Sequence, residues 1–205
     1  MTRATAPRAA RTGPIGALLL TGGASRRMGA DKATLLVGGE PCAARLARLL
    51  HDVADTVLEV GPGRTPLEVV AEPEPGSGPL AAIAAGRAAL VARGLDGPAV
   101  VCACDLPSVT AELLELVARR PGTRSVLPVV GGRAQPLLAR WSAADLDAAA
   151  PLVAAGERSL RTLPSRAHAE LLDEASWSAV ATAAAFADLD TPEDLAAFER
   201  GHRGG

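Results

Sequence analysis

The run Ile15-Gly16-Ala17-Leu18-Leu19-Leu20 contains no polar side chain and gives way at once to Thr21-Gly22-Gly23. A short apolar run of this length, closed by glycines, has the pattern of a buried strand. Further along, strand and helix signals alternate. Strands are expected at 56–60, 67–71 and 99–103, and helices at 41–54, 79–93 and 111–119, with Pro79 in the first turn of the second and Thr110 capping the third. Segments 125–130 and 134–139 flank Gly131-Gly132 and read as a hairpin, an antiparallel excursion on the sheet edge. The remainder reads as helical as far as 185–188, and a last helix spans 192–198 behind the cap Thr191. This order predicts an α/β protein of Rossmann-like type. Its expected form is a single three-layer α/β/α domain with a mostly parallel twisted sheet and helices on both faces. Residues 14–200 form that domain, between a disordered extension at 1–13 and a flexible tail at 201–205.

The loop after the first strand reads Gly22-Gly23-Ala24-Ser25-Arg26-Arg27-Met28-Gly29-Ala30-Asp31-Lys32. Glycines at a strand exit let the backbone approach a ligand and expose several N–H groups together. Arg26, Arg27 and Lys32 add positive charge in the same loop, and a guanidinium grips phosphate oxygens in pairs. The composition suits a triphosphate, although a glycine-rich turn leading into a solvated basic helix start has the same residues. The spacing matches neither G-x-x-x-x-G-K-[ST] nor G-x-G-x-x-G.

A second candidate follows the strand at 99–103. Asp105, in Cys104-Asp105-Leu106-Pro107, stands just past the carboxyl end of that strand, where open α/β sheets bind their ligands. A carboxylate there suits Mg²⁺, which is commonly held by one or two carboxylates together with substrate phosphates. Taken alone, Asp105 reads equally well as a turn aspartate before Leu-Pro.

Composition narrows the function classes. The 205-residue chain carries a net charge of −2, whereas nucleic-acid binders are normally basic. Two Phe, two Trp and no Tyr leave no stacking platform for single strands. The apolar runs are far shorter than the ~20 residues of a spanning helix. Cys42, Cys102 and Cys104 suggest no disulfide framework and read as small buried hydrophobes, and the expected compartment is the cytoplasm. His51, His168 and His202 fall in no motif.

The loop resembles L-x-G-G-x-S-x-R-M-G-x-D-K, the signature of the molybdenum cofactor guanylyltransferase family and its nucleotidyltransferase relatives. Cys104-Asp105-Leu106-Pro107 resembles the family's C-D-x-P segment, Gly78-Pro79-Leu80 its G-P-L helix start, and Gly132-Arg133-Ala134-Gln135-Pro136-Leu137 its central segment. Gly156-Glu157-Arg158-Ser159-Leu160 and Asp188-Leu189-Asp190-Thr191-Pro192-Glu193-Asp194-Leu195 resemble its closing motifs. The matches keep the family's order from about residue 15 to residue 200.

The resemblance implies transfer of GMP from GTP to a molybdopterin-type cofactor, with Mg²⁺ as metal. It implies Arg26, Lys32 and Asp105 as catalytic residues, and Leu20, Thr21, Gly22, Gly23, Lys32, Glu72, Gly78 and Asp105 around the nucleotide. Arg133, Gln135, Arg158 and Ser159 fall to the acceptor. Asp105 is the implied metal ligand, and Asp190, in place of a frequent Asn, adds a carboxylate that can assist it. A cofactor-inserting chaperone or target molybdoenzyme is the expected partner. Where the family often carries an Asn near the ribose, this chain has Glu59-Val60, and nothing is carried over. Two other readings stay open: a cytidylyltransferase, or other nucleotidyltransferase, on a related phosphorylated acceptor, and a non-catalytic nucleotide-binding adaptor.

Overall fold

The computed structural model describes residues 13–22, 31–72, 74, 76–163 and 168–202. The expected extension at 1–13 thus falls almost wholly outside the described residues, as do Gly23 and Arg26 of the loop.

The first strand, β1 (Gly16–Leu20), is buried along its whole length. It pairs in parallel with β4 (Thr56–Val60) on one side and β6 (Ala99–Ala103) on the other. Between β1 and β4 lie a two-strand hairpin, β2 (Leu36–Val37) and β3 (Glu40–Pro41), and helix α1 (Cys42–His51). β5 (Glu68–Val70) pairs in parallel with β4 and forms one edge. Helix α2 (Pro79–Val91) returns the chain to β6, and α3 (Ala111–Arg119) follows with Thr110 accepting from Leu113 N. Then come β7 (Val126–Val130), β8 (Arg133–Ala134) and β9 (Leu138–Trp141). Short helices α4 (Ala143–Asp147) and α5 (Ala149–Ala154) precede β10 (Glu170–Leu172), α6 (Glu174–Trp177) and α7 (Pro192–His202). The main sheet runs β10-β7-β9-β6-β1-β4-β5, with β8 paired to β7.

Alternation along β1 divides the core. Ala17 and Leu19 point to one face, with Leu46, Leu50, Leu113, Leu114 and Val117 of α1 and α3. Leu18 and Leu20 point to the other, with Leu80, Ile83 and Leu90 of α2 and with Trp141. With few aromatics available, close approach substitutes for bulk. A Cβ at Gly86 of α2 would lie 2.7 Å from Leu18 Cδ1, so only glycine lets this helix sit down on β1.

The fold class is as expected, with one correction. The antiparallel excursion is not at the edge. β7 and β8 do form a hairpin across Gly131-Gly132, but β9 runs antiparallel between β6 and β7, inside the sheet. Its Leu138, Ala139, Arg140 and Trp141 are all buried, because both faces of the sheet are covered there, Leu138 packing with the α1 and α3 side and Ala139 and Trp141 with the α2 side. The region read as helical also contains the edge strand β10, parallel to β7. The last helix continues through His202, two residues into the expected tail. The three cysteines are buried free thiols, and burial pushes the Cys42 thiol up to about 12.

Trp141 closes the α2 face, fully buried, with its indole N–H donating to Pro136 O at 3.1 Å. Trp141→Ala is expected to cost about 3–5 kcal/mol, measured as a lower urea midpoint at unchanged slope.

Candidate functional site

Because β1, β4 and β6 are parallel and in register, Leu20, Val60 and Ala103 lie side by side at their carboxyl ends. The chain leaves the sheet there at Thr21-Gly22, at Gly61 and at Cys104-Asp105. The first and last of these exits open onto a cavity of about 850 Å³. Its walls include Gly22, Lys32, Glu72, Gly78, Asp105 and Gln135, together with Phe186, Asp188 and Asp190.

Lys32 begins a single 3₁₀ turn, Lys32–Thr34, capped by Asp31, whose carboxylate accepts from Ala33 N at 3.1 Å. Its ammonium reaches Asp105 Oδ2 at 3.1 Å and bonds Asp190 as well. Burial works against the charged amine, but the bonds and charges of Asp190 and Asp105 outweigh it and raise the Lys32 pKa. Leu189 N donates to Asp105 O at 3.1 Å, which fixes the 188–190 segment beside β6. Asp105, Asp188 and Asp190 each offer an oxygen within 4.8 Å of the other two, the single such cluster among the described residues. Partial burial, with Asp190 and Asp105 beside it, raises the Asp188 carboxyl above its ordinary value. Three hard oxygen donors at this spacing suit Mg²⁺.

On the other wall, Glu72 accepts from Gly76 N at 3.2 Å. The Glu72 carboxylate lies directly against Gly22, where a Cβ would displace it, so the two segments meet closely at this wall. Gly78, at φ +96°, starts α2 with Pro79 behind it, in a conformation that side chains avoid.

The sequence-derived residues thus divide. Leu20, Thr21, Gly22, Lys32, Glu72, Gly78, Asp105, Gln135 and Asp190 share the cavity. Arg133 lies exposed on β8, and Arg158 and Ser159 lie exposed after α5; these three are not among the described residues that line it. The backbone carbonyl of Arg158 does pack against Gly78, so its segment abuts the start of α2. His51 and His168 are exposed and stand apart from the cavity.

Two groups escaped the sequence reading. Asp188 had a visible signal: it stands two positions from Asp190 with an apolar residue between them, and Leu189 is buried while both carboxylates reach the Asp105 cluster. Glu59 had none. It is fully buried and accepts from Thr21 Oγ1, Thr65 Oγ1 and the N–H groups of Arg64 and Thr65.

The family model described as "MobA-like NTP transferase domain" matches residues 17–171. This chain belongs to the MobA-like NTP transferase family. It is 38% identical over 162 residues to a protein of Mycobacterium bovis named "Probable molybdenum cofactor guanylyltransferase", covering 74% of this chain and 80% of that one. It is 34% identical over 193 residues to the "Molybdenum cofactor guanylyltransferase" of Rhodobacter capsulatus, covering 90% and 95%. Among solved structures, "Molybdopterin-guanine dinucleotide biosynthesis protein A" from Archaeoglobus fulgidus superposes with a TM-score of 0.75 at 23% identity, over 93% of this chain and all of that one. The protein is therefore a nucleotidyltransferase by family, and its cavity lies at the sheet edge where such a fold binds ligands.

In this NTP transferase, burial alone would raise the Glu59 carboxyl. The bonds from Thr21, Thr65 and Arg64 outweigh it and hold it below the ordinary value. A lowered carboxyl stabilises the fold fully above its unfolded pKa of about 4.3, and that contribution is lost as pH falls through the folded value. Wild type should thus exceed Glu59→Gln in unfolding free energy near pH 7, and the gap should shrink steadily below about pH 4, followed by urea titration at each pH.

Proposed function

We propose that this chain transfers GMP from GTP to a molybdopterin-type cofactor, forming the guanine dinucleotide and releasing pyrophosphate. The observation that carries the reading is the meeting, in one cavity, of the Gly22 backbone, the Lys32 ammonium and the Asp105–Asp188–Asp190 carboxylates. The names of the two relatives supply the nucleotide and the acceptor class.

In nucleotidyl transfer, an acceptor phosphate oxygen bonds to the α-phosphorus of the triphosphate as the bond to the bridging oxygen breaks and pyrophosphate leaves. A phosphomonoester is largely ionised at pH 7, since its second pKa is ~6, so no side chain need take a proton. This agrees with a site whose walls carry no histidine among the described residues. The protein's task is to bring two polyanions into line and offset their charge. Lys32 sits where it can meet the triphosphate from the β1 side. Asp105 and Asp190, with Asp188 beside them, would hold Mg²⁺, which supplies further charge neutralisation at the phosphates.

The rest of the cavity suits two substrates. Gln135 and the apolar residues Pro136, Leu137 and Phe186 line it together with Glu72 and Gly78. We assign the Glu72 and Gly78 wall to the nucleotide and the Gln135 wall to the acceptor. Guanine offers two adjacent donors, N1–H and its amine, which Glu72 or backbone carbonyls near Gly78 can accept. Cytosine offers its amine alone, which would leave an acceptor unpaired at a cost of about 1–3 kcal/mol.

Pyrophosphate release, measured with each ribonucleoside triphosphate with and without molybdopterin, tests the assignment. Acceptor-dependent release with GTP at least about tenfold faster than with CTP is expected. Equal rates would replace guanylyl with general nucleotidyl transfer, and binding without release would favour an adaptor.

Lys32→Ala and Asp105→Ala should each lower turnover by about 10²–10³ while the folded circular-dichroism spectrum is kept. Chelation of divalent metal should abolish turnover, and added Mg²⁺ should restore it. Turnover that survives chelation would remove the metal role of Asp105 and Asp190.

A further inference from the structure

We propose that Glu59 and Arg64 form a clamp that fixes Thr21 and Asp31, on either side of residues 22–30, and thereby sets nucleotide affinity. Glu59 lies near the end of β4 and uses each carboxylate oxygen twice. Oε1 accepts from Thr21 Oγ1 at 2.5 Å and from Arg64 N at 2.6 Å. Oε2 accepts from Thr65 N at 2.8 Å and Thr65 Oγ1 at 2.7 Å. One buried anion thus ties the residue that leaves β1 to the short loop 61–65.

The same loop reaches the other flank. Arg64 Nε donates to Asp31 Oδ2 at 2.5 Å, while Asp31 Oδ1 accepts from Ala33 N and starts the turn that presents Lys32. Thr21 and Asp31, ten positions apart in sequence, are therefore held to one support. A Cβ on Gly61 would fall 2.4 Å from Thr21 Oγ1, so the loop also lies directly against the β1 exit. Neither Glu59 nor Arg64 lines the cavity, so both are positioning residues that act through Thr21 and through Asp31 and Lys32.

The two halves differ in exposure. Glu59 is fully enclosed, whereas the Arg64 and Asp31 side chains are 40% and 35% exposed. A half-exposed ion pair adds little to global stability. Its loss frees one flank without loosening the core, which makes it the cleaner probe.

The test is a double-mutant cycle of Arg64→Ala, Asp31→Asn and the pair. Kinetics use whichever triphosphate wild type turns over, and amide hydrogen exchange is followed at residues 31–35 and 61–65 of each protein. Each single change should raise the nucleotide KM roughly three- to fivefold, with the acceptor KM and the melting temperature nearly unchanged. The double variant should be no worse than the worse single, because both remove one contact. Arg64→Lys should recover part of the loss, and exchange at Ala33 and Thr34 should quicken in both singles.

Additive effects, or an unchanged nucleotide KM in either single, would overturn the clamp. The kinetic half rests on the nucleotidyl-transfer reading, but the exchange half does not. Should wild type turn over no triphosphate, that reading fails by itself, and unchanged exchange at residues 31–35 in Arg64→Ala would still overturn the clamp.

Discussion

Parallel pairing of β1 with both β4 and β6 is the constraint on which the site depends. Parallel strands all end at the same edge of a sheet, and the shared register aligns Leu20, Val60 and Ala103. Three loops of unrelated sequence therefore begin on adjacent strands at one edge: Thr21-Gly22, Gly61 to Thr65, and Cys104-Asp105. The pairing is held by the burial of β1 on both faces, where Ala17 and Leu19 meet α1 and α3 and Leu18 and Leu20 meet α2. A crevice at the carboxyl edge follows from that geometry before any polar residue is placed.

The reversed strand β9 completes the crevice from the other side. An antiparallel strand presents its beginning where its parallel neighbours end. Leu138 pairs with Cys102 and Leu137 O accepts from Ala103 N at 2.9 Å, so the segment Gln135-Pro136-Leu137 is delivered to the same edge as Asp105. Had the hairpin lain at the sheet edge, as its turn glycines suggested, these residues would stand two strands away. The interior placement of β9 is thus what gives the cavity its second wall.

Charge is concentrated locally at the site. Lys32 faces Asp105, 73 positions away, and Asp190, 158 positions away, while Asp188 stands beside them. One ammonium among three carboxylates leaves a net negative centre that invites a further cation. Glu59 solves a different problem. Its carboxylate has no cationic side chain in contact among the described residues and is stabilised by four donated hydrogen bonds, which order the loop that supports Thr21.

Much of this was legible in the residues. The spans of β4, β6 and α3, and Thr110 as the cap of α3, follow from apolar periodicity and turn chemistry, which act over a few neighbouring residues. Asp105 could be suspected from its place after a buried strand, and Lys32 from the loop's charge. The glycine positions at 22 and 78 mark close approach and a left-handed backbone, and both are local facts as well. Edge strand β10 was missed because three residues of mixed burial carry too short a pattern to oppose their helical neighbours.

Contacts between distant segments were decided by the tertiary structure alone. No local rule gives β9 its interior position, joins Asp188 and Asp190 to Asp105, or leaves Arg158 and Ser159 outside the cavity while Gln135 lines it. Nor does any local pattern distinguish Glu59, one carboxylate within an apolar strand, from an ordinary exposed glutamate. The sequence by itself determined which segments form strands and helices, because backbone conformation answers to near neighbours. Which of those segments meet depends on how two apolar faces of one sheet are covered, and that choice is made by the packed chain as a whole.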